Sequence, residues 1–329
     1  MPQIIIRKIG YGEIITEPGI YEMPLAWHHS DCCDGPSVTS TGLRKLDLET
    51  PQHFYDTWSG NPDRDRTADE KLLEADYFRI GRAAHLKMLE PQLFERNIAV
   101  RPTLWDSWRT KDAQNWLAEM KAMHMTVLTP AEEERVMGVV RALHAHPAHS
   151  DGILGGLVEA TMVWRDKRTG IWIKSRPDSI PTQSAITDLK VMDDVSPRSV
   201  DSSIRKLGYD MQLALAGITY FALTGVTIDA LFLLAVESHR PHAIHVATLS
   251  TSAVYWARVR IRRALDRMAK CIADNYWPAY EADGQEAGTP YGPQLQEWEA
   301  MQKAGLMPED TFVEDAADGP DDRTAPDQN

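Results

Sequence analysis

Between residues 157 and 192 the hydrophobic pattern changes period, and that change limits the chain to folds in which helices pack on a sheet. Upstream, Asp76 to Leu89, Lys111 to Met123 and Pro130 to Leu143 carry apolar residues at three- and four-residue spacing and read as helices. The third opens on Thr129 as N-cap with Pro130 at its first position. Phe78, Gly81, His85 and Met88 form one stripe, which sets His85 on the buried-looking face. Leu157 to Trp164, Gly170 to Ile180 and Ser184 to Met192 are then rich in Val, Ile, Trp and Thr, separated by turn signals at Asp166–Gly170 and Pro181–Gln183. They predict an antiparallel three-strand meander. A long helix over Ser202 to Leu223 follows, then strands at Asp229 to Glu237 and Ala243 to Leu249. A last helix runs from the caps Ser250 to Ser252 as far as about Asn275. With a short helix between Gly42 and Trp58, the order predicts an α/β (α+β) fold, a central mixed β-sheet flanked by helices.

Charge divides the chain. From Glu281 onward there are 13 acidic side chains against Lys303 and Arg323, a local charge of −11 out of −13, so the first 280 residues carry only −2. The acidic overall balance therefore does not exclude a body that handles nucleic acid. From Pro308 the tail is polar and aperiodic, as a disordered segment should be. The expected organisation is an N-terminal segment (1–65) packing on a core (66–280), with an acidic, largely disordered tail (281–329). Three cysteines make no disulfide framework and fall short of a four-thiolate cluster. No apolar run approaches the ~18 residues of a membrane span, and MPQIIIRKIGYGE lacks the pattern of a signal peptide. A reducing cytoplasm is the expected home.

The strands carry the chemistry. In ITDLKV, alternation sets Ile186, Asp188 and Lys190 on one side and Thr187, Leu189 and Val191 on the other. Asp188 and Lys190 then lie ~7 Å apart on one face, an arrangement also open to a plain ion pair. In GIWIKSRPDSI the same alternation aligns Trp172, Lys174, Arg176 and Asp178. Asp178 stands ten residues before Asp188 across the predicted turn, so a hairpin brings the two carboxylates together. Like charges at that range call for a counter-charge, and a divalent cation such as Mg²⁺ supplies one on hard oxygen ligands. Lys190 beside them is placed to orient an attacking water and to offset charge on a phosphorane-like transition state. The combination suits metal-dependent phosphodiester hydrolysis.

A pair of acidic residues on adjacent strands, the second in D/E-x-K, is the signature of the PD-(D/E)xK nuclease superfamily, and RPD (Arg176 to Asp178) with DLK (Asp188 to Lys190) resembles it. More specifically the chain resembles the RecE-type exonucleases (the exonuclease VIII family). GRAAHLKMLEP, VEATMVWRDKRTGIWIKSRPD, ITDLKV, YDMQLALAGITY, LFLLAVES and YWPAY occur in the family's order, and PGIYEM and PSVTSTGL resemble its opening segment. The resemblance spans roughly residues 18 to 280. It implies a restriction-endonuclease-like core with His85, Asp178 and Asp188 as metal ligands and the Leu189 carbonyl as a possible further one. It also implies Lys190 as the catalytic lysine, Glu159 as an acidic residue for a second metal or the water, and Gln212 as the residue orienting lysine and substrate. The sequence departs from the family pattern at Ala216, where a tyrosine is common four residues after the glutamine, and at Val191 and Met192, where threonines are common.

What the resemblance implies in function is a Mg²⁺-dependent exonuclease (Mn²⁺ substituting) that degrades one strand of linear double-stranded DNA from its 5′ end and leaves a 3′ single strand. A homo-tetrameric ring, a single-strand annealing recombinase as partner, and a bacterial or phage recombination setting are implied with it. Arg176 on the Asp178 face, and Arg198, Arg205 and Lys206 just after the DLK strand, are the candidate DNA contacts. Arg258, Arg262, Arg263 and Arg267 lie mostly outside the core stripe of the last helix and are open either to phosphates or to solvent. Another nuclease activity on the same core, such as an endonuclease, and a non-catalytic DNA-binding or assembly protein are the alternatives. His28, His29, Cys32 and Cys33 have poor spacing for tetrahedral zinc, and His144, His146 and His149 read as a polar helix end.

Overall fold

The computed structural model of the chain describes residues 5–64, 76–182, 184–280, 300–301 and 303. The predicted tail therefore falls almost wholly outside the described residues. The described residues form twelve strands: β1 (Ile6–Lys8), β2 (Gly19–Glu22), β3 (Ser37–Thr39), β4 (Ile98–Val100), β5 (Thr126–Leu128), β6 (Leu157–Val158), β7 (Thr161–Arg165), β8 (Trp172–Ser175), β9 (Ser179–Thr182), β10 (Ala185–Met192), β11 (Ala230–Glu237) and β12 (Ile244–Thr248). The helices among the described residues are α1 (Leu25–His28), α2 (Ser40–Leu48), α3 (Pro51–Thr57), α4 (Asp76–Leu89), α5 (Pro91–Asn97), α6 (Lys111–Ala122), α7 (Pro130–Ala145), α8 (Pro147–Ser150), α9 (Pro197–Leu207), α10 (Tyr209–Thr224) and α11 (Thr251–Asp274). None is long and apolar enough to cross a membrane.

The fold is the predicted mixed α/β class, with mixed sheets flanked by helices. The single central sheet comes as two, each five-stranded, in the orders β1-β2-β7-β8-β3 and β12-β11-β10-β9-β6. Both mix parallel pairs (β1 with β2, β3 with β8, β10 with β11) and antiparallel ones. The expected three-strand meander is split between them. β7 and β8 form a hairpin in one sheet, while β6, β9 and β10 belong to the other. So neither Leu157–Trp164 nor Gly170–Ile180 is one strand; each breaks in the middle and changes sheet. Pro181, expected in the turn, lies in β9.

Alternation along β10 sorts its side chains as the sequence pattern requires. Ile186 packs with Leu233, Ala235 and the α10 residues Leu213, Ala216 and Tyr220. Leu189 faces the other way, onto Ile80, Ala83 and Ala84 of α4 and Val136, Val139 and Leu143 of α7. The buried stripe of α4 is thus about a third of a turn from the predicted one, and Phe78 is 40% exposed. α10 is apolar on nearly every side because a second face, with Met211, Ala214, Leu215 and Ile218, meets β8, α2 and α11.

Two expected helices are each divided in two. Pro51 begins α3 because its ring suits the first turn and cannot continue α2. Gly208 takes φ of 65° between α9 and α10, a conformation that costs glycine nothing. The β7–β8 hairpin is tied to α11 by a buried charge pair. Asp166 receives two hydrogen bonds from Arg262, at 2.8 and 2.9 Å, and one from the Thr169 hydroxyl at 2.5 Å.

Burial raises the Asp166 carboxyl, but Arg262 and Thr169 outweigh it and leave the group below its ordinary value. A depressed carboxyl contributes stability that is present above the unfolded pKa of ~3.9 and is lost as pH falls through the folded value. Asp166→Ala is therefore expected to lower stability near neutral pH by roughly 3–5 kcal/mol, because it removes the close partner of the buried Arg262 cation and leaves Asp266 at 3.9 Å. The penalty should shrink below about pH 4. Denaturant unfolding at several pH values checks both the size and the slope.

Candidate active site and metal centre

The candidate site forms where two neighbouring strands pass from one sheet to the other. Glu159 lies in the break between β6 and β7, and Asp178 in the break between β8 and β9. The Glu159 N–H donates to the Asp178 carbonyl at 3.2 Å, so the two breaks are held side by side. Glu159 takes φ of 50°, uncommon for a residue with a side chain, and the turn it makes aims its carboxylate at the site. Asp188 comes from the middle of β10. There Thr187 pairs with Ser179, which sets Asp188 beside Asp178. Lys190, two residues on, shares the face of Asp188, and its Nζ lies 2.5 Å from Asp188 Oδ2.

Other elements close the site. α4 brings His85, whose Nδ1 is 3.7 Å from Asp178 Oδ2, and that same oxygen accepts the Leu189 N–H at 2.6 Å. α10 brings Gln212, whose Nε2 donates to Asp188 Oδ1 at 2.7 Å. Arg176 donates through Nε to Glu159 Oε2 at 2.6 Å and through Nη1 to the Met23 carbonyl at 3.0 Å. His85, Glu159 and Asp178 each present a ligand atom within 4.8 Å of the others.

The electrostatics of this cluster are unbalanced around one group. Burial, then Asp188, push the Asp178 carboxyl well above its ordinary range, with Glu159 adding to the shift. Burial and then Lys190 push His85 down, so its imidazole is neutral at neutral pH and its lone pair is available to a cation. Lys190 is opposed by burial, but Asp188 and Asp178 raise it and keep it an ammonium. A neutral imidazole and two carboxylates are ligands of the kind divalent cations take. The donor set fits a divalent metal.

The predicted residues divide into two groups. His85, Glu159, Asp178, Asp188, Lys190 and Gln212 converge, although the Asp188 oxygens are engaged by Lys190 and Gln212 and it stands outside the three-residue cluster. Arg176 does not face outward as a DNA contact: its side chain is 8% exposed and its guanidinium is taken up by Glu159, Met23 and Thr161. Arg198, Arg205 and Lys206 are exposed on α9, Arg205 paired with Asp201. Arg198 lies about 15 Å from Gly208 along the helix axis. On α11, Arg262 is buried against Asp166 and Arg267 donates to the Leu46 carbonyl, so neither is an outward phosphate contact.

Two site neighbours escaped the sequence reading. The Tyr209 ring lies under Lys190, with Nζ 5.0 Å from its centroid. Its place three residues before Gln212, one helical turn, was the available signal. Glu90 comes within 4.0 Å of Arg176 and shares it with Glu159; burial, then Glu159, raise its carboxyl.

Residues 49–286 match the family described as "PDDEXK-like domain of unknown function (DUF3799)". Among solved structures the chain is similar to a protein from Eubacterium rectale described as a "Putative exonuclease", with a TM-score of 0.54 and 12% identity over 80% of this chain and 91% of that one. An alkaline exonuclease from Laribacter hongkongensis is matched with a TM-score of 0.25 and 9% identity, over 59% of this chain and 91% of that one. The first likeness is one of fold, and the second is too distant to carry an argument. No curated protein matches this chain.

A raised carboxyl destabilises the metal-free fold progressively as pH climbs from the unfolded value toward the folded one. A cation that takes the proton's place relieves that strain, and its binding releases a proton. Mn²⁺ is expected to raise the melting temperature of EDTA-treated protein more at about pH 8 than at about pH 6. The increment should vanish in Asp178→Asn. A shift that survives the substitution would remove Asp178 from the ligand set.

Proposed function

The chain belongs to the family of PDDEXK-like domains, and from that premise we propose that it is a divalent-metal-dependent nuclease that degrades linear double-stranded DNA from its ends. The observation that carries the reading is the convergence of Asp178, Asp188 and Lys190 with His85 and Glu159 at the junction of two sheets. A binding module has no use for clustered buried carboxylates facing a polyanion.

His85, Asp178 and Glu159 would hold the cation, and Asp188, held by Lys190 and Gln212, would be the further carboxylate beside it. The bound ion supplies Lewis acidity at a phosphoryl oxygen and lowers the pKa of coordinated water. The remaining work falls to the side chains of this chain. Lys190 donates hydrogen bonds from Nζ to a water or a non-bridging oxygen and offsets negative charge there. Gln212 keeps Asp188 Oδ1 in place, and Arg176 keeps Glu159 turned inward. Tyr209 supports the Lys190 ammonium on its ring face. Arg198, Arg205 and Lys206 would meet backbone phosphates along α9, which makes binding salt-dependent.

The finer reading follows the RecE-type resemblance. It comprises 5′-to-3′ polarity, a 3′ single strand as product, Mg²⁺ as the working ion, a ring of four copies, and a single-strand annealing recombinase as partner in a bacterial or phage cytoplasm. The description of the Eubacterium rectale relative supports end-dependence over internal cutting. In the same reading 66–280 is the catalytic core, with 1–65 packed on it and 281–329 an acidic tail.

Purified protein is expected to release nucleotides from linear duplex DNA with Mg²⁺ and not with EDTA, and to leave covalently closed circles intact. Asp188→Ala and Lys190→Ala should each lower the rate by about a hundredfold or more while leaving the fold unchanged by circular dichroism. Digestion of closed circles would keep the chemistry and overturn the end-dependence. No digestion of any DNA would leave a binding or assembly role. A 5′-labelled strand that outlasts its partner would reverse the polarity.

A further inference from the structure

Arg44 stands on α2, distant in sequence from the DLK strand, yet its guanidinium is directed at the same side chains. Nη1 donates to the Leu207 carbonyl at 3.1 Å and, more weakly, to Gln212 Oε1 at 3.4 Å, while Nη2 donates to the Thr41 hydroxyl at 3.2 Å. Its stem runs across the α9–α10 junction, where a Cβ on Gly208 would stand 3.0 Å from Cγ and Cδ. The guanidinium carbon is 5.9 Å from the centroid of the Tyr209 ring, the ring that also lies under Lys190.

A guanidinium offers donors only, so the atom of Gln212 that faces it must be the carbonyl oxygen. That fixes the other end of the amide. Nε2 turns to Asp188 and donates to Oδ1 at 2.7 Å. With the amide reversed, its NH₂ group would face a cation and its oxygen a carboxylate, two repulsive contacts in place of two attractive ones. The shape of the side chain does not distinguish the two orientations; the network does. Aspartate donates nothing when ionised, and Leu207, Thr41 and Tyr209 offer Gln212 no substitute cation. Asp188 alone requires the NH₂ group at its end, and Arg44 holds the oxygen at the other, so the amide is fixed from both sides.

We propose that Arg44 is a positioning residue for the nuclease reaction. It fixes the Gln212 amide so that Asp188 Oδ1 is held by a donor and Oδ2 is left to Lys190 and the cation. The inference rests on the nuclease reading of the site. It predicts that Arg44 acts through Gln212 and adds nothing once Gln212 is gone.

The test is a double-mutant cycle with Arg44→Met and Gln212→Leu, read in kcat and KM on linear DNA and in calorimetric titration of the DNA-free protein with Mn²⁺. Arg44→Met is expected to lower kcat about 10- to 100-fold with KM little changed, as for a misplaced catalytic group. The double variant should be no slower than the worse single one, a coupling as large as the Arg44 effect itself. Arg44→Lys, whose ammonium also only donates, should recover part of the rate. It serves in the cycle if Arg44→Met does not fold. Mn²⁺ affinity should fall in Arg44→Met and fall no further in the pair. Losses that multiply, or wild-type kcat and Mn²⁺ affinity in Arg44→Met, would overturn the proposal. An inactive wild-type protein that still shows the coupled Mn²⁺ effect would overturn the nuclease reading and leave the role of Arg44 standing.

Discussion

The structure depends on one backbone hydrogen bond, from the Glu159 N–H to the Asp178 carbonyl, because it joins two strand breaks into a single corner. Two adjacent strands leave their sheet at the same level, and a break in only one would tear the ladder between them. Broken together, β6–β7 and β8–β9 keep their partners on both sides of the corner. Gly156 makes room for this: it takes φ of 77°, and a Cβ there would stand 2.2 Å from the Ile180 carbonyl oxygen. Residues in the two breaks are freed from strict alternation. That is how Glu159 and Asp178 point at one place while Ile180 and Val158 remain in the core.

Charge pairing then singles out one carboxylate. Glu159 has Arg176 at 2.6 Å, and Asp188 has Lys190 at 2.5 Å. Asp178 has an imidazole at 3.7 Å, and burial and Lys190 hold that imidazole below its ordinary value. Among the described residues its close donor is the Leu189 amide. A buried carboxyl in that position either keeps its proton or waits for a cation, and the direction of its shift says the same. The cations around the corner, Arg176 and Lys190, neutralise the neighbours so that the deficit is concentrated at Asp178. A divalent ion drawn there meets His85 and Glu159 on arrival.

Much of this was legible in the sequence, and what was missed has a common cause. Alternation placed Asp188 and Lys190 on the face opposite Leu189, and the spacing of RPD and DLK placed Asp178 beside Asp188. Periodicity along a strand carries that information directly. A break in a strand leaves no periodic trace when both halves are apolar, so Leu157–Trp164 and Gly170–Ile180 read as continuous. The helix break at Gly208 was hidden for the same reason, since Ile204, Leu207, Met211 and Leu215 keep three- and four-residue spacing across it. Arg176 was misread because a charged residue next to a catalytic pair suggests substrate. Only the fold reveals Glu159, seventeen residues away, as its partner.

The arginines of α11 carry the same point further. A helix with this many cations suggests a phosphate-binding face, yet three of its arginines work inward while Arg263 and Lys270 stay exposed. Arg260 reaches Asp47 on α2 at 2.7 Å and Asp210 on α10 at 2.9 Å, Arg262 holds the β7–β8 hairpin, and Arg267 caps the Leu46 carbonyl. Buried pairs of this kind contribute little net stability compared with apolar packing, but they permit few alternative geometries. What they fix is the placement of α2 against α10. That placement brings Arg44 within reach of Gln212 and Leu207, and so sets the side-chain amide that holds Asp188. Cations far from the chemistry thus position it through two helices.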